Sequence, residues 1–224
     1  VSGLKATLGV GAPTCSLSDF IGTDLLIIFG SDLANNQPVT TKYMHFAKKA
    51  GTRILVVNPM REYGLERYWV PSVAWSALFG TKLMDEFFQV RVGGDIAFIN
   101  GVVKSVIASN RVDQSYIDKN TTGFAELKSA LEQQTWDMIE QRSGVSRGSM
   151  QRFADLYGQA KSAVLVYSVG LTQNEFGVEN VKAIVNLALA RGMLGREKCG
   201  IMPIRGHSGA QGGGECGTEP DKFP

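Results

Sequence analysis

The chain has 224 residues, 44% of them apolar and 20% charged, with 23 basic against 21 acidic side chains and a formal net charge of +2. That length and composition suit one large domain or two small ones, and a near-neutral balance without a Lys/Arg run argues against a nucleic-acid surface, which needs clustered cations. The longest mainly apolar stretches, at 25–29 and 183–190, fall far short of the roughly 20 residues of a bilayer span, so neither nucleic acid nor a membrane is an expected partner.

In chain order, Asp24-Leu-Leu-Ile-Ile-Phe29 is a short apolar run ending at Gly30 and predicts a strand buried on both faces. Loop residues 31–37 follow, and Pro38 stands at the first position of a predicted helix to Lys49, closed by Gly51. The next strand is predicted over 53–57 and stops at Asn58-Pro59. Strand, loop, helix and strand within about 35 residues is the length of a right-handed crossover between parallel strands.

Residues 61–89 mix aromatics with charges at no clean period and read as an irregular excursion with one short helix. A strand end is expected at 90–92. Gly93-Gly94-Asp95 then opens a helix whose apolar positions Ile96, Ile99, Val103, Val106 and Ile107 share a face. Short helices are predicted over 113–119, 124–133 and 135–141, followed by one that Ser146 caps and that runs through Gln159. Residues 162–167 predict a third buried strand, broken at Gly170, and 178–190 a strongly apolar helix ending at Gly192. Helices alternating with parallel-type strands predict an α/β sandwich.

Cys15, Cys199 and Cys216 are odd in number and share no metal-type spacing, which argues against a disulfide framework or a metal cage and makes a reducing, cytoplasmic setting the default. His45, in mid-helix beside Lys42 and Lys48, is expected to be a solvated surface residue. Gly accounts for 26 residues, nine of them in the last 33, and the chain opens at Val1 without a methionine or signal pattern. It reads as a piece of something longer.

Ligands of open parallel sheets bind beyond the carboxyl ends of the strands, so the loops that follow each strand are the candidates. After the first strand, Gly30, Ser31, Asp32 and Asn35 precede a helix start whose free N–H groups suit a phosphate. Asn58 follows the second strand, where dinucleotide-binding folds place a ribose or base reader. Gly93 and Asp95 open a helix, where a carboxylate can accept two hydrogen bonds from a guanine edge or act as an N-cap. Gly170 and Gln173 follow the 162–167 strand. The glycines around Arg205 and His207 suit a backbone folded against a large polar ligand.

Taken together, Gly170-Leu-Thr-Gln173, Ala183-Ile-Val-Asn-Leu-Ala-Leu189, Gly192, Gly195 and Pro203-Ile-Arg-Gly-His-Ser-Gly-Ala-Gln-Gly212 resemble the molybdopterin oxidoreductase family, the bis-molybdopterin guanine dinucleotide enzymes that include formate dehydrogenases. Asn58-Pro-Met-Arg-Glu-Tyr-Gly-Leu-Glu-Arg67 is similar to a stretch shared by the formate-dehydrogenase-like alpha-subunit branch, with one residue fewer between Pro and Gly. The resemblance covers essentially the whole chain. It implies a Rossmann-like three-layer sandwich with a mostly parallel sheet over residues 1–203, an excised third domain holding one dinucleotide, and a Gly-rich segment at 204–224 leading into a neighbouring domain.

By the same resemblance, Val1-Ser2-Gly3-Leu4 matches the opening of that domain. The molybdenum-ligating residue is then expected just before it, with no metal ligand and no iron–sulfur cluster in the chain and the three cysteines as buried or half-buried thiols. Gly30, Ser31, Asp32, Asn35, Asn58, Gly93, Asp95, Gly170 and Gln173 are implied to bind the dinucleotide, with Asp95 reading guanine and Arg61 able to stand in for the family's arginine at Met60. Arg205 is implied to orient a small anionic substrate. His207 replaces the glutamine of formate-specific enzymes and is implied to relay a proton or bond the pterin. Two-electron chemistry on a formate-like anion follows, with the remaining domains of the polypeptide and an electron-transfer subunit as partners. The alternative is a non-catalytic nucleotide-binding or assembly module that retains the fold.

Overall fold

The computed structural model describes residues 2–71, 73–206, 213, 216 and 217. Helix α1 (Ser2–Leu8) leads through a short 3₁₀ turn (Leu17–Phe20) into β1 (Leu25–Phe29). There follow α2 (Leu33–Asn36), α3 (Pro38–Lys49), β2 (Arg53–Asn58), α4 (Tyr63–Glu66), α5 (Ala74–Phe79) and β3 (Glu86–Gln89). A helical block comes next: α6 (Asp95–Ala108), α7 (Gln114–Asn120), α8 (Phe124–Glu132), α9 (Trp136–Ser143) and α10 (Arg147–Gln159). The chain then forms β4 (Ala163–Tyr167), α11 (Val169–Thr172), α12 (Gly177–Ala190) and β5 (Gly200–Pro203).

All five strands are parallel, in the order β3-β2-β1-β4-β5. The central strand β1 pairs Leu25 with Arg53 on one side and Ala163 on the other, and every residue of β1 and β4 is buried. That requires cover on both faces, which two separate cores supply. Leu25, Ile27 and Phe29 point into one, built with α1, α6, α10 and α12, where Phe153 meets Phe88 and Phe98 at ring distances of 5.1 and 5.4 Å. Leu26 and Ile28 point into the other, built with α2, α3 and α4 around Leu33, Met44 and Leu65. The result is the expected α/β three-layer sandwich, with the chain reversing direction across the sheet between β1 and β4.

Several elements depart from the sequence reading. The strand expected at 90–92 lies at Glu86–Gln89 instead, because Arg91 N–H turns away to donate to Ser143 O, leaving Val92 83% exposed. The excursion holds two short helices rather than one, α11 occupies an expected loop, and α1 and β5 were not expected at all. His45 is buried, only 6% exposed, with Nδ1 3.0 Å from Thr81 Oγ1 and its pKa lowered by burial and then by Lys49, so it is not a surface residue. Cys15 is half-buried and Cys199 buried, but Cys216 is exposed. No helix among the described residues is long and apolar enough to cross a membrane.

One contact in this frame tolerates no side chain. Gly30 has φ +58°, and a Cβ there would stand 2.3 Å from Leu171 Cδ1 and 2.8 Å from Leu171 N. Gly30→Ala is therefore expected to destabilise the chain by about 3 kcal/mol, combining left-handed strain with overpacking. Gly195→Ala, at φ +72° with nothing within 4 Å, should lose only about 1 kcal/mol. Equal losses in urea unfolding would show that the close contact is dispensable.

Candidate functional site

The carboxyl ends of the five strands form one edge, and the place where the strand order reverses is the gap between β1 and β4. Here the two following loops touch. Gly170 N–H donates to Gly30 O at 3.1 Å, Ser168 N–H to Phe29 O at 3.2 Å, and a Cβ on Gly170 would lie 2.6 Å from Gly30 O. The glycines expected to admit a ligand thus first admit each other.

Beyond Gly30 the loop is clamped to β2. The buried amide of Asn58 makes two reciprocal bonds with one backbone unit: Ser31 N–H donates to Oδ1 and Nδ2 donates to Ser31 O, both at 3.1 Å. Asn58 therefore positions the loop. Asp32 is N-terminal to α2 but its carboxylate does not cap the helix; Oδ2 accepts from Asn35 Nδ2 at 2.6 Å, and Oδ1 is buried with no partner. The pKa of Glu62, on the neighbouring excursion, is raised by burial and by the charge of Asp32. Arg61 is held by Glu66 and lies over the Phe87 ring.

At the β3 end, Gly93 takes φ +77° and Gly94 N–H donates to Arg91 O, which brings Asp95 to the first turn of α6. Asp95 is 5% exposed, and burial pushes its pKa up to about 6, opposed by its own backbone N–H. Beside it opens a cleft of about 620 Å³ lined by Gly93, Ile96, Asn100, Met138, Arg142 and Phe176 among others. That volume accommodates a nucleoside-sized ligand.

Past β4 and β5, Tyr167 is buried, its hydroxyl has no partner, and burial raises its pKa to about 12 against the opposing charge of Arg205. Ile204 N–H donates to Tyr167 O and Ser168 Oγ to Ile204 O, so the segment after β5 is tied to the loop after β4. Gln37 Nε2 donates to Arg205 O, which ties it to the β1 loop as well, while the Arg205 side chain is exposed. Gln173 ends α11 and is exposed. His207 lies outside the described residues.

The edge also collects unpartnered polar atoms. Of the seven buried side-chain atoms without a partner among the described residues, Asp32 Oδ1, Gln37 Oε1, Tyr167 Oη and Asn180 Oδ1 belong to the segments after β1 and β4 or to β4 itself. Buried polar atoms are normally paired with protein, ordered water or a ligand, so this concentration makes the edge a candidate place for a polar ligand. Three of the four are acceptors only, as is the Asp95 carboxylate, and they suit a ligand rich in N–H and O–H donors. The edge runs over four inter-strand spacings, roughly 19 Å, which suits an elongated ligand. Sequence reasoning missed Gln37, Tyr167 and Asn180, together with the cleft residues Asn100, Arg142 and Phe176. The available signal was position: Gln37 precedes the helix-opening proline and Tyr167 ends its strand. Among the described residues no three His, Cys, Asp or Glu are grouped to hold a metal.

Comparisons with known proteins bear on the family and the fold. The family model for molybdopterin oxidoreductase matches residues 9–222. The chain is 36% identical over 222 residues to Protein YdeP of Escherichia coli K12, matching 94% of this chain and 29% of that protein. It is 34% identical over 224 residues to F420-dependent formate dehydrogenase 1 subunit alpha of Methanococcus maripaludis, and 30% identical to formate dehydrogenase H of E. coli K12. Each of these two matches 100% of this chain, and 31% and 29% of the relative respectively. The chain therefore spans about three tenths of the length of the relatives it matches. Among solved structures, acetylene hydratase from Pelobacter acetylenicus superposes with a TM-score of 0.73 at 19% identity, covering 90% of this chain and 25% of that one, a likeness of fold.

Two outcomes follow from the geometry. A carboxylate at position 58 can accept from Ser31 N–H but repels Ser31 O, so Asn58→Asp should lower stability by about 1–3 kcal/mol at pH 7. The difference from the unsubstituted chain should shrink as the pH falls and the acid form donates instead; a pH-independent difference in urea midpoints would refute the clamp. Asp95 has a folded pKa above its ordinary 3.8, so its neutral form supports the fold below pH 4 and that support is lost as pH rises through about 6. Asp95→Asn stays neutral and should gain up to about 3 kcal/mol over the unsubstituted chain at pH 7, and little at pH 4.

Proposed function

The chain belongs to the molybdopterin oxidoreductase family, and from that premise we propose that it is the cofactor-holding part of a longer molybdenum oxidoreductase that oxidises or reduces a small, formate-like anion by two electrons. In this reading residues 1–203 hold a molybdopterin guanine dinucleotide, one of two in the complete enzyme, and 204–224 lead into a neighbouring domain. The observation that carries it is the concentration of buried, unpartnered acceptors on the strand ends, complementary to the ribose hydroxyls and ring N–H groups of guanosine. When bound, the pterin-held metal supplies the two-electron redox chemistry.

The chain's own residues bind and orient. Asp95, at the start of α6 beside the cleft, accepts from the guanine edge, and Asp32 with Gln37 accepts from ribose hydroxyls. Asn58 and the Gly30–Gly170 contact hold the loops that carry them, with Ser31, Asn35 and Gln173 completing the polar rim. The exposed Arg205 guanidinium, tethered through its carbonyl to Gln37, offers a planar fork to a small carboxylate. In this reading His207 either relays a proton or donates a hydrogen bond to the pterin. A cytoplasmic setting and an electron-transfer subunit belong to the same reading, the former supported by the spacing of the cysteines.

In the complete polypeptide, Asp95→Ala should reduce retained guanine nucleotide at least fivefold, measured after acid release. Arg205→Lys should reduce turnover at least tenfold with metal and nucleotide content near normal. If Arg205→Lys lost metal and activity in parallel, the arginine would be structural; unchanged nucleotide content in Asp95→Ala would remove the guanine-reading role.

A further inference from the structure

Outside the candidate site, one buried histidine heads a chain of hydrogen bonds. His45 stands in α3 with Nδ1 3.0 Å from Thr81 Oγ1, and its Nε2 is buried without a partner. Thr81 Oγ1 lies 2.9 Å from Ser76 Oγ, which bonds Tyr68 O at 3.0 Å and accepts from Val70 N–H at 2.9 Å. Counting hydrogens fixes the direction of this chain. A carbonyl only accepts and each hydroxyl has one hydrogen, so Ser76 donates to Tyr68 O and Thr81 donates to Ser76. The hydrogen between His45 and Thr81 then belongs to Nδ1. His45 is therefore the neutral Nδ1–H tautomer, and Nε2 is a bare acceptor enclosed by protein.

The chain links residues 68–81 to α3. Within that stretch, among the described residues, only Val70 and Ser76 are buried, whereas Trp69, Trp75, Leu78 and Phe79 are exposed. Tyr68 and Thr81 close the stretch on itself as an isolated antiparallel bridge. Its flanks are fixed in the second core, by Leu65 before it and by Leu83 and Met84 after it. A segment with so few buried apolar contacts belongs to the low end of local stability and can open while its flanks stay folded. Because α4, just before it, packs on α2 with Gly64 against Ala34, the segment lies one element from the loop after β1.

A second proton on His45 goes to Nε2, where the charge meets no acceptor. The surrounding charges do not compensate it. Lys49 on the same helix repels it, Lys42 and Lys82 are of the same sign, and Lys48 is paired with Asp85, which also accepts from Ile54 N–H. Among the elements packed on α3, the 3₁₀ turn holds Asp19 against Ser16, β2 holds Arg53 against Glu86, and Asp32 before α2 is bonded to Asn35. In the excursion Arg61 is held by Glu66 and Arg67 donates to Phe79 O. We propose that His45 is an acid-released latch: neutral, it holds residues 68–81 closed on α3 through Thr81 and Ser76, and protonated at Nε2 it is accommodated only in water, so the segment opens. Burial, and then Lys49, lowers the pKa of His45 from its ordinary 6.5. The closed form is therefore fully supported above that value and loses support as the pH falls through the lowered one. Between the two values the opening equilibrium rises by up to about tenfold per pH unit. The inference rests on the fold of this chain and not on the cofactor reading.

The test is amide hydrogen exchange of the complete polypeptide at pH 5 and pH 7.5, read peptide by peptide and corrected for the intrinsic chemical rate. Peptides holding the bonded amides of Tyr68, Val70 and Thr81 should lose protection at least about fivefold at pH 5, while those of β1 and α6 change less than about twofold. His45→Asn places an amide nitrogen where Nδ1 stands and does not titrate, so it should keep its protection at both pH values. The C2–H exchange of His45 in the unsubstituted polypeptide gives a second reading that needs no variant, and its midpoint should lie below 6.5. Unchanged protection of 68–81 at pH 5 would overturn the latch, as would an equal loss in every peptide. A pH response that survives in His45→Asn, or a midpoint at or above 6.5, would overturn it as well.

Discussion

The backbone contact between Gly30 and Gly170 fixes the carboxyl edge of the sheet. It closes the two loops on each other at the point where strand order reverses, and it exists because neither position carries a side chain. From it the Ser31 peptide unit is delivered to the Asn58 amide, Asp32 is placed at the start of α2, and α11 is seated so that Asn180 Nδ2 bonds Leu171 O. The segment after β5 is tied back to both loops through Ser168 and Gln37. Five strand ends become one surface by hydrogen bonds between backbone units, with few side-chain ion pairs involved.

Under the proposed function, that construction is how a chain of near-neutral charge would serve an anionic, nucleotide-like ligand. Binding by a basic surface would need clustered Lys and Arg. The edge instead offers buried acceptors with no internal partner and two carboxyl groups, Asp95 and Glu62, whose pKa values are raised by burial. Such groups are costly when unpaired, and acceptors of this kind are complementary to N–H and O–H donors.

The fold was legible where strands are buried on both faces. The apolar runs at β1, β2 and β4 announce themselves, and each helix from α6 to α12 except α11 carries its own cap or period. The edge strands did not: Glu86–Gln89 and Gly200–Pro203 are four residues each, lie on one neighbour only, and tolerate Pro203 because an edge position needs no donor there. His45 reads as a surface residue from its lysine neighbours, since its partner Thr81 is 36 positions away. The site was legible as a set of loops. Its internal division was not, because glycine and asparagine look alike in sequence whether they approach a ligand or another stretch of backbone, and only the Cβ contacts and the Asn58 bond pair distinguish the two.

The most direct measurement is a calorimetric titration of the chain with guanosine diphosphate and with nicotinamide adenine dinucleotide at pH 5.5 to 7, in buffers of different ionisation heat. Complementarity between buried acceptors and guanosine donors predicts saturable binding of the guanine nucleotide in preference to the adenine one. It also predicts proton release below about pH 6, as Asp95 ionises to accept the base. Preference for the nicotinamide dinucleotide, or guanine binding without proton release, would contradict it.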